Sequence, residues 1–115
     1  MIKKGIIIFL ISISISIYFY KSPKVSSPEP DIIIRKPTPS EKSIAETWPI
    51  WTKEVSEFPY SYSHTEECLI ISGDVEIVTK KKIYHFSSGD FVIFPKGLEC
   101  RWNIKKEVKK HYNFK

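Results

Sequence analysis

Short apolar segments separated by turn residues make up the sequence from Trp51 onward, and this pattern restricts the chain to folds built from short strands. Three turn segments, Gly73-Asp74, Ser87 to Asp90 and Pro95 to Gly97, recur at intervals typical of an all-β sandwich or barrel. The strands are predicted near residues 52–56, 60–63, 67–72, 74–79, 82–86, 91–94, 98–104 and 107–113. The predicted fold class is therefore all-β.

Two further signals extend the predicted domain toward the N-terminus. Ile32 to Ile34 reads as a first strand, and Thr38-Pro39-Ser40-Glu41 combines an N-cap, a proline at the first helical position and a capping-box Glu. These residues predict a short helix that ends near Thr47. One domain over residues 31–115 follows, and a chain that short buries only a modest core, so a homodimer stays open as a source of stability.

The first thirty residues differ in composition from this domain. Residues 5–20 carry no charge and follow Lys3 and Lys4, which predicts a membrane-targeting segment over residues 1–20. The flank from Tyr18 to Lys21 is aromatic and basic rather than small, so we expect an uncleaved single-pass signal anchor, with secretion after cleavage as the alternative. The Pro- and Ser-containing residues 21–30 are predicted to be a linker.

Charge and cysteine usage narrow the classes of partner. The chain has a formal net charge of +5, but four Lys and one Glu precede residue 31, which leaves 14 basic and 12 acidic residues in the domain. A domain charge of only +2 argues against nucleic-acid binding. Cys68 and Cys100 form no C-x-x-C pair, so a zinc knuckle is unsupported, whereas a disulfide between them stays open.

Two stretches of this strand-rich region carry recognisable spacings. Six residues lie between Glu66 and Gly73. Five residues lie between Gly89 and the segment Pro95-Lys-Gly97. These spacings resemble the paired motifs of the cupin superfamily, in which H-x-H, Glu and Gly form the first motif, and Gly, Pro-x-Gly and His form the second. In that register Tyr60 and Tyr62 occupy the first two His positions and Cys100 occupies the third. The resemblance implies a single jelly-roll β-barrel over residues 31–115.

The sequence also resembles the small single-domain members of the ureidoglycine aminohydrolase-type cupin family. Four segments carry this resemblance: Trp48 to Trp51, Glu66 to Cys68, Cys100 to Trp102 and Lys110 to Tyr112. The name-giving enzyme is a manganese-dependent protein with two cupin domains, whereas this chain has one. The resemblance implies a barrel with a pocket at its mouth. The predicted pocket residues are Tyr60, Tyr62, Glu66, Cys68, Cys100 and Trp102.

Strand alternation supports this pocket, because Glu66 and Cys68 share one face of their strand and Cys100 and Trp102 share one face of theirs. A cupin metal site usually contains three His and one Glu, since imidazole suits manganese, iron, nickel and zinc. Only the Glu is retained here, so no metal or other cofactor is predicted. If a metal is bound, manganese or zinc is expected.

Each candidate residue also has a simpler structural role. Glu66 and Cys100 are the catalytic candidates, yet Glu66 could be a hydrogen-bonded buried carboxyl and Cys100 an inert buried thiol. Tyr60 and Tyr62 could simply pack with a polar tip. His64, two residues before Glu66, is the one plausible replacement imidazole. His85 and His111 share no strand with a second histidine at ligand spacing.

These residues support three hypotheses for function. The first is a metal-free barrel that binds a small polar or aromatic molecule and is held at a membrane through residues 5–20. The second is an aminohydrolase-like enzyme in which Glu66 works within a non-standard metal shell. The third is a structural or partner-binding barrel whose pocket is only core.

Overall fold

A computed structural model describes residues 29–115, which form one small barrel of seven strands and one helix. In chain order the elements are β1 (Ile33–Arg35), α1 (Pro39–Ala45), β2 (Ile50–Lys53), β3 (Ser56–Ser61), β4 (Glu66–Val78), β5 (Ile83–Ser87), β6 (Phe91–Phe94) and β7 (Glu99–Phe114). The predicted all-β class and the short helix are confirmed. Within residues 29–115 no helix is long and apolar enough to cross a membrane. The predicted hydrophobic helix over residues 1–20 and most of the linker lie outside the described residues.

The two longest strands, β4 and β7, pair antiparallel along most of their lengths and organise the sheet. Along its other edge β4 pairs first with β6 and then with β5, while β7 pairs first with β3 and then with β2. The short β1 completes the sheet beside β6. The long pair of β4 and β7 therefore joins β5 and β6 on one side to β2 and β3 on the other. The sheet closes over a single core as a jelly-roll-like barrel.

The prediction that Gly73-Asp74 forms a turn between two strands is wrong. β4 continues through it from Glu66 to Val78, and the register against β7 shifts between Ser72 and Asp74. Gly73 adopts a φ of 127°, a backbone conformation that side-chain-bearing residues rarely adopt. The glycine therefore serves a β-bulge, which bends the strand without ending it. The predicted break before residue 107 is also absent, because β7 runs unbroken across the same bulged region.

The helix α1 begins as its sequence predicts. Thr38 Oγ1 accepts a hydrogen bond from the Glu41 backbone N–H at 3.1 Å, and the Glu41 carboxylate accepts one from the Thr38 N–H at 2.9 Å. Arg35 at the end of β1 donates two hydrogen bonds to the same carboxylate, at 2.7 and 2.8 Å. The capping box thus also attaches the helix to the first strand. The helix ends at Ala45, two residues before the predicted end.

The core lies between the two halves of the barrel and is rich in aromatic rings. Alternate residues of β4 and β7 point into it, including Cys68 and Ile70 on one strand and Trp102 and Ile104 on the other. A second, smaller cluster lies on the outer face, where Ala45 of α1 covers Leu69 and Phe91. The inward face predicted from strand alternation is confirmed by this burial.

Candidate functional site

A cavity of about 190 Å³ opens at one end of the barrel. β2, β3, β4 and β7 all contribute to its wall, which is mostly aromatic. The lining residues are Trp51, Phe58, Tyr60, Tyr62, Glu66, Trp102, Lys110, Tyr112 and Phe114. Two of them, Glu66 and Lys110, carry charge.

Glu66 and Lys110 form a buried ion pair in this cavity. Lys110 Nζ donates a hydrogen bond to Glu66 Oε2 at 2.9 Å, and the two side chains are only 6% and 4% exposed. β4 and β7 position them, although the residue opposite Lys110 in the ladder is Ile70 and the residue opposite Glu66 is Phe114. Each charge is costly to bury alone, so each is stabilised here by the other.

Aromatic rings form much of the remaining surroundings of the Lys110 ammonium group. Lys110 Nζ lies 4.7 Å from the centroid of the Trp51 ring and 4.8 Å from that of Trp102. The Phe94 ring lies 5.8 Å away. Ring faces attract a cation most strongly when it is withdrawn from water. The charged end of Lys110 is therefore held by one carboxylate and three aromatic rings.

The rings also brace one another. Phe58 stacks on Trp102 with centroids 5.8 Å apart and planes 11° apart, and Trp51 meets Trp102 edge to face at 5.9 Å. Tyr62 stacks on Phe94 at 4.8 Å. Such contacts fix ring orientations beyond what area burial alone would do. The cavity wall is thus pre-formed.

Four of the six predicted pocket residues line this cavity: Tyr60, Tyr62, Glu66 and Trp102. Cys68 and Cys100 face the barrel interior as predicted, but they belong to the packed core and are not among the lining residues. Strand alternation identifies the face on which a side chain lies, but it does not give the depth at which the cavity ends. Cys68 lies one inward position beyond Glu66 and is completely buried.

Tyr62 and Tyr60 differ in their surroundings. The Tyr62 hydroxyl is buried and accepts a hydrogen bond from the Trp102 indole N–H at 3.3 Å. Burial, with the nearby Glu66 carboxylate second, raises the pKa of Tyr62 far above its usual value, so this phenol stays protonated. Tyr60 is 42% exposed at the mouth and contacts Tyr62 edge to face at 4.6 Å.

Both cysteines are free thiols in the structure, so the disulfide left open by the sequence is not formed there. Burial raises the pKa of Cys68 strongly and raises that of Cys100 to about 11. The Cys100 Sγ lies 3.6 Å from the Tyr60 carbonyl oxygen, to which it donates. Neither thiol has the lowered pKa that an activated nucleophile requires.

None of the three histidines reaches the cavity wall. His64 is exposed beside Ser63, and its Nδ1 lies 3.1 Å from the Ser63 hydroxyl. His85 pairs with Asp74 on the outer surface at 2.6 Å. His111 Nδ1 lies 2.9 Å from the Trp48 carbonyl oxygen, to which it donates. The replacement imidazole considered for His64 is therefore not positioned near Glu66.

The residues present do not fit the metal that the cupin fold implies. The three imidazole positions hold Tyr60, Tyr62 and Cys100. The Tyr62 phenol stays protonated, and the Cys100 thiol donates to the backbone carbonyl of Tyr60. The one retained ligand, Glu66, is bonded to the Lys110 ammonium. Across residues 29–115 no three His, Cys, Asp or Glu side chains cluster closely enough to hold a metal ion.

Sequence reasoning did not identify Lys110, which is one of four lysines between residues 105 and 110. The signal that could have identified it is the period-2 pattern of β7, where Cys100, Trp102, Val108, Lys110 and Tyr112 share one parity. Lys106 has the same parity but is exposed at the bulge, so parity alone selects two lysines. Only the tertiary contact with Glu66 separates them.

Comparison with known proteins agrees with this geometry. The model of the EutQ-like cupin domain matches residues 40–112. A DUF861 family protein from Thermotoga maritima is 48% identical, with a TM-score of 0.70, over 74% of this chain and 100% of its own. EutQ from Clostridium difficile and a putative EutQ from Salmonella typhimurium are 18% and 17% identical, with TM-scores of 0.53 and 0.52. Each alignment covers 56% of this chain, together with 52% of the Clostridium protein and 53% of the Salmonella protein. At this low identity the two matches show a shared fold alone. No curated protein matches the sequence. The chain belongs to the EutQ-like cupin family.

Proposed function

We propose that this protein is a metal-independent cupin that binds a small planar molecule in its aromatic cavity. One observation carries the proposal: the Lys110 ammonium is hydrogen-bonded to Glu66, the only carboxylate or imidazole retained at a cupin ligand position. A built-in cation is therefore bonded to the one carboxylate that a metal would need as a ligand. The frame of a binding pocket is kept while the chemistry of a metal site is lost.

The form of the cavity supports a ligand rather than empty core. A closed apolar cavity of about 150 Å³ can hold a benzene molecule, so 190 Å³ suits one ring with a small substituent. Pockets for small molecules commonly combine apolar walls with a few convergent polar groups. Here the walls are aromatic and the convergent groups are Glu66 and Lys110.

Thermal melting of the full chain with a panel of single-ring aromatic compounds tests the proposal, because a ligand that binds only the folded state raises the melting temperature. Phe58→Trp enlarges a side chain of the cavity wall and should reduce the shift. Ile83→Trp adds an indole at an exposed position outside the cavity and should leave the shift unchanged. If no compound shifts the melting temperature of the unaltered protein, the barrel is structural or binds a macromolecular partner instead.

Metal analysis of the same sample tests the other half of the proposal. Manganese, iron and zinc should be well below one equivalent after expression in metal-supplemented medium. One equivalent of metal that is lost on Glu66→Ala would overturn the metal-independent assignment. Release of ammonia from ureidoglycine by that loaded protein would favour the aminohydrolase-type activity.

The proposal includes tethering to a membrane through residues 5–20, supported by their uncharged, apolar sequence after Lys3 and Lys4. Deletion of residues 5–20 should move the protein from the membrane fraction to the soluble fraction. The intact mass of the unaltered protein separates an uncleaved anchor from a cleaved signal. A deleted form that still sediments with membranes would contradict the tether.

A further inference from the structure

We propose that the cavity selects an uncharged aromatic carboxamide, which Lys110 and Glu66 recognise together. This inference rests on the proposed function and adds to it the chemical class of the ligand. Three features carry the inference. A hydrogen-bond donor lies beside an acceptor in the cavity, and this pair has a net charge of zero. The cavity also has the size of a single ring and aromatic walls.

The donor and the acceptor are adjacent. Lys110 Nζ and Glu66 Oε2 lie 2.9 Å apart, and both residues line the cavity. A lysine ammonium has three N–H donors and an ionised carboxylate has about four lone-pair sites, so the bond between them leaves capacity on both. A carboxamide carries a carbonyl acceptor and an N–H donor on one carbon. It can therefore accept from Lys110 and donate to Glu66 at the same time.

Lys110 can donate a hydrogen bond to a ligand without giving up a strong existing contact. Within residues 29–115 its Nζ makes a single hydrogen bond to an oxygen, that of Glu66, and its other neighbours are the Cys68 thiol and ring faces. The contact of an N–H with a ring face is weaker than a charge-assisted hydrogen bond to an oxygen. A ligand carbonyl oxygen would replace the weaker contact with the stronger one.

Charge complementarity excludes ionised ligands of the same shape. Glu66 and Lys110 neutralise each other, and the other lining residues are all uncharged aromatics. A benzoate ion would therefore leave a net negative charge in the cavity, and a benzylammonium ion a net positive one. Uncompensated charge away from water is strongly unfavourable. A second cation would also compete with Lys110 for the faces of Trp51 and Trp102.

The test uses the full chain and four probes built on the same ring: benzamide, benzoate, benzylamine and toluene. Quenching of indole fluorescence reports binding directly, because Trp51 and Trp102 line the cavity. Benzamide should bind at least about tenfold more tightly than toluene, which corresponds to roughly 1.4 kcal/mol. Benzoate and benzylamine should bind more weakly than benzamide by a similar factor or more.

The double variant Glu66→Leu, Lys110→Met provides the matched control. Replacing both partners of a buried ion pair by apolar residues of similar size is often neutral for folding, which keeps the variant measurable. It should bind toluene at least as well as the unaltered protein and lose the preference for benzamide. Lys110→Arg keeps the charge but replaces the compact ammonium with a larger planar group, so it should weaken benzamide binding.

Each other outcome overturns the inference. If toluene binds as tightly as benzamide, or benzoate or benzylamine binds more tightly, the ion pair does not select an amide, while the proposed binding function stands. If the double variant keeps the preference for benzamide, recognition lies elsewhere in the cavity. If none of the four probes quenches fluorescence, the inference and the proposed function both fail.

Discussion

A Cβ atom placed on Gly73 would lie 2.8 Å from the Cα of Val108, closer than Cβ atoms approach backbone atoms in folded proteins. The two residues face each other where the antiparallel pairing of β4 with β7 shifts register at the bulge. The glycine that resembles part of a cupin sequence motif is thus required by the close approach of the two longest strands.

Gly73→Ala should therefore destabilise the protein by about 3 kcal/mol or more, since strain at a φ of 127° adds to the clash with Val108. Gly97→Ala is the matched control. Gly97 also has a positive φ, of 91°, but an added Cβ there meets no atom within 4 Å, so only about 1–2 kcal/mol is expected. Urea denaturation measures both. Equal losses would mean that backbone strain alone accounts for the effect.

Strand alternation predicted the inward positions of Glu66 and Trp102 because side-chain direction is a local property of each strand. It could not predict that Cys68 and Cys100 are absent from the cavity lining, because the extent of the cavity depends on how the barrel closes. Lys110 was missed for a related reason. A lysine among other lysines is usually solvated, and its burial becomes favourable only through Glu66, 44 residues earlier in the sequence.

The capping box is the opposite case, since all of its atoms come from four consecutive residues and the sequence predicted it in full. Only the hydrogen bonds from Arg35 to Glu41 were not foreseen. The continuity of β4 through Gly73 was also missed, because the same glycine and aspartate that favour a turn are compatible with a bulge. A neighbouring strand must be present to distinguish the two.

Cys100 should react slowly with alkylating reagents. Burial raises its pKa to about 11, so only about one thousandth of it is thiolate at pH 8, against about a quarter for an ordinary cysteine thiol. Cys68 should react more slowly still, since its side chain is completely buried. Iodoacetamide labelling followed by mass spectrometry measures both rates, with the protein in guanidinium as the control in which two thiols react. Labelling of native Cys100 at the rate of a free thiol would contradict its burial.

Glu41 should titrate at a pKa of about 2, lowered from 4.5 first by the hydrogen bonds from Arg35 and then by that from the Thr38 N–H. A lowered pKa stabilises the folded state above the unfolded value of about 4.5, and this contribution is lost as the pH falls through about 2. Carboxyl NMR titration measures the shift. Arg35→Met should return the pKa toward 4.5. A pKa near 4.5 in the unaltered protein would show that the attachment of α1 to β1 is absent in solution.

The buried pair of Lys110 and Glu66 should be more costly to break than to remove. Lys110→Met leaves Glu66 as an uncompensated charge among aromatic rings, and removal of one partner of a buried pair typically destabilises a protein by about 3–5 kcal/mol. The double variant Glu66→Leu, Lys110→Met removes both charges and should lie within about 1 kcal/mol of the unaltered protein. Chemical denaturation at neutral pH gives the three free energies of unfolding.

The surface pair of Lys81 and Asp31 is the matched control. Its atoms lie 2.6 Å apart, closer than those of the buried pair, but its side chains are 46% and 62% exposed. Solvent screens such a pair, so Lys81→Met should change stability far less than Lys110→Met despite the shorter distance. Equal effects of the two substitutions would show that water reaches the Lys110 ammonium. In that case neither the metal-independent site nor the selection of an uncharged ligand would retain its physical basis, because both depend on a charge pair held away from solvent.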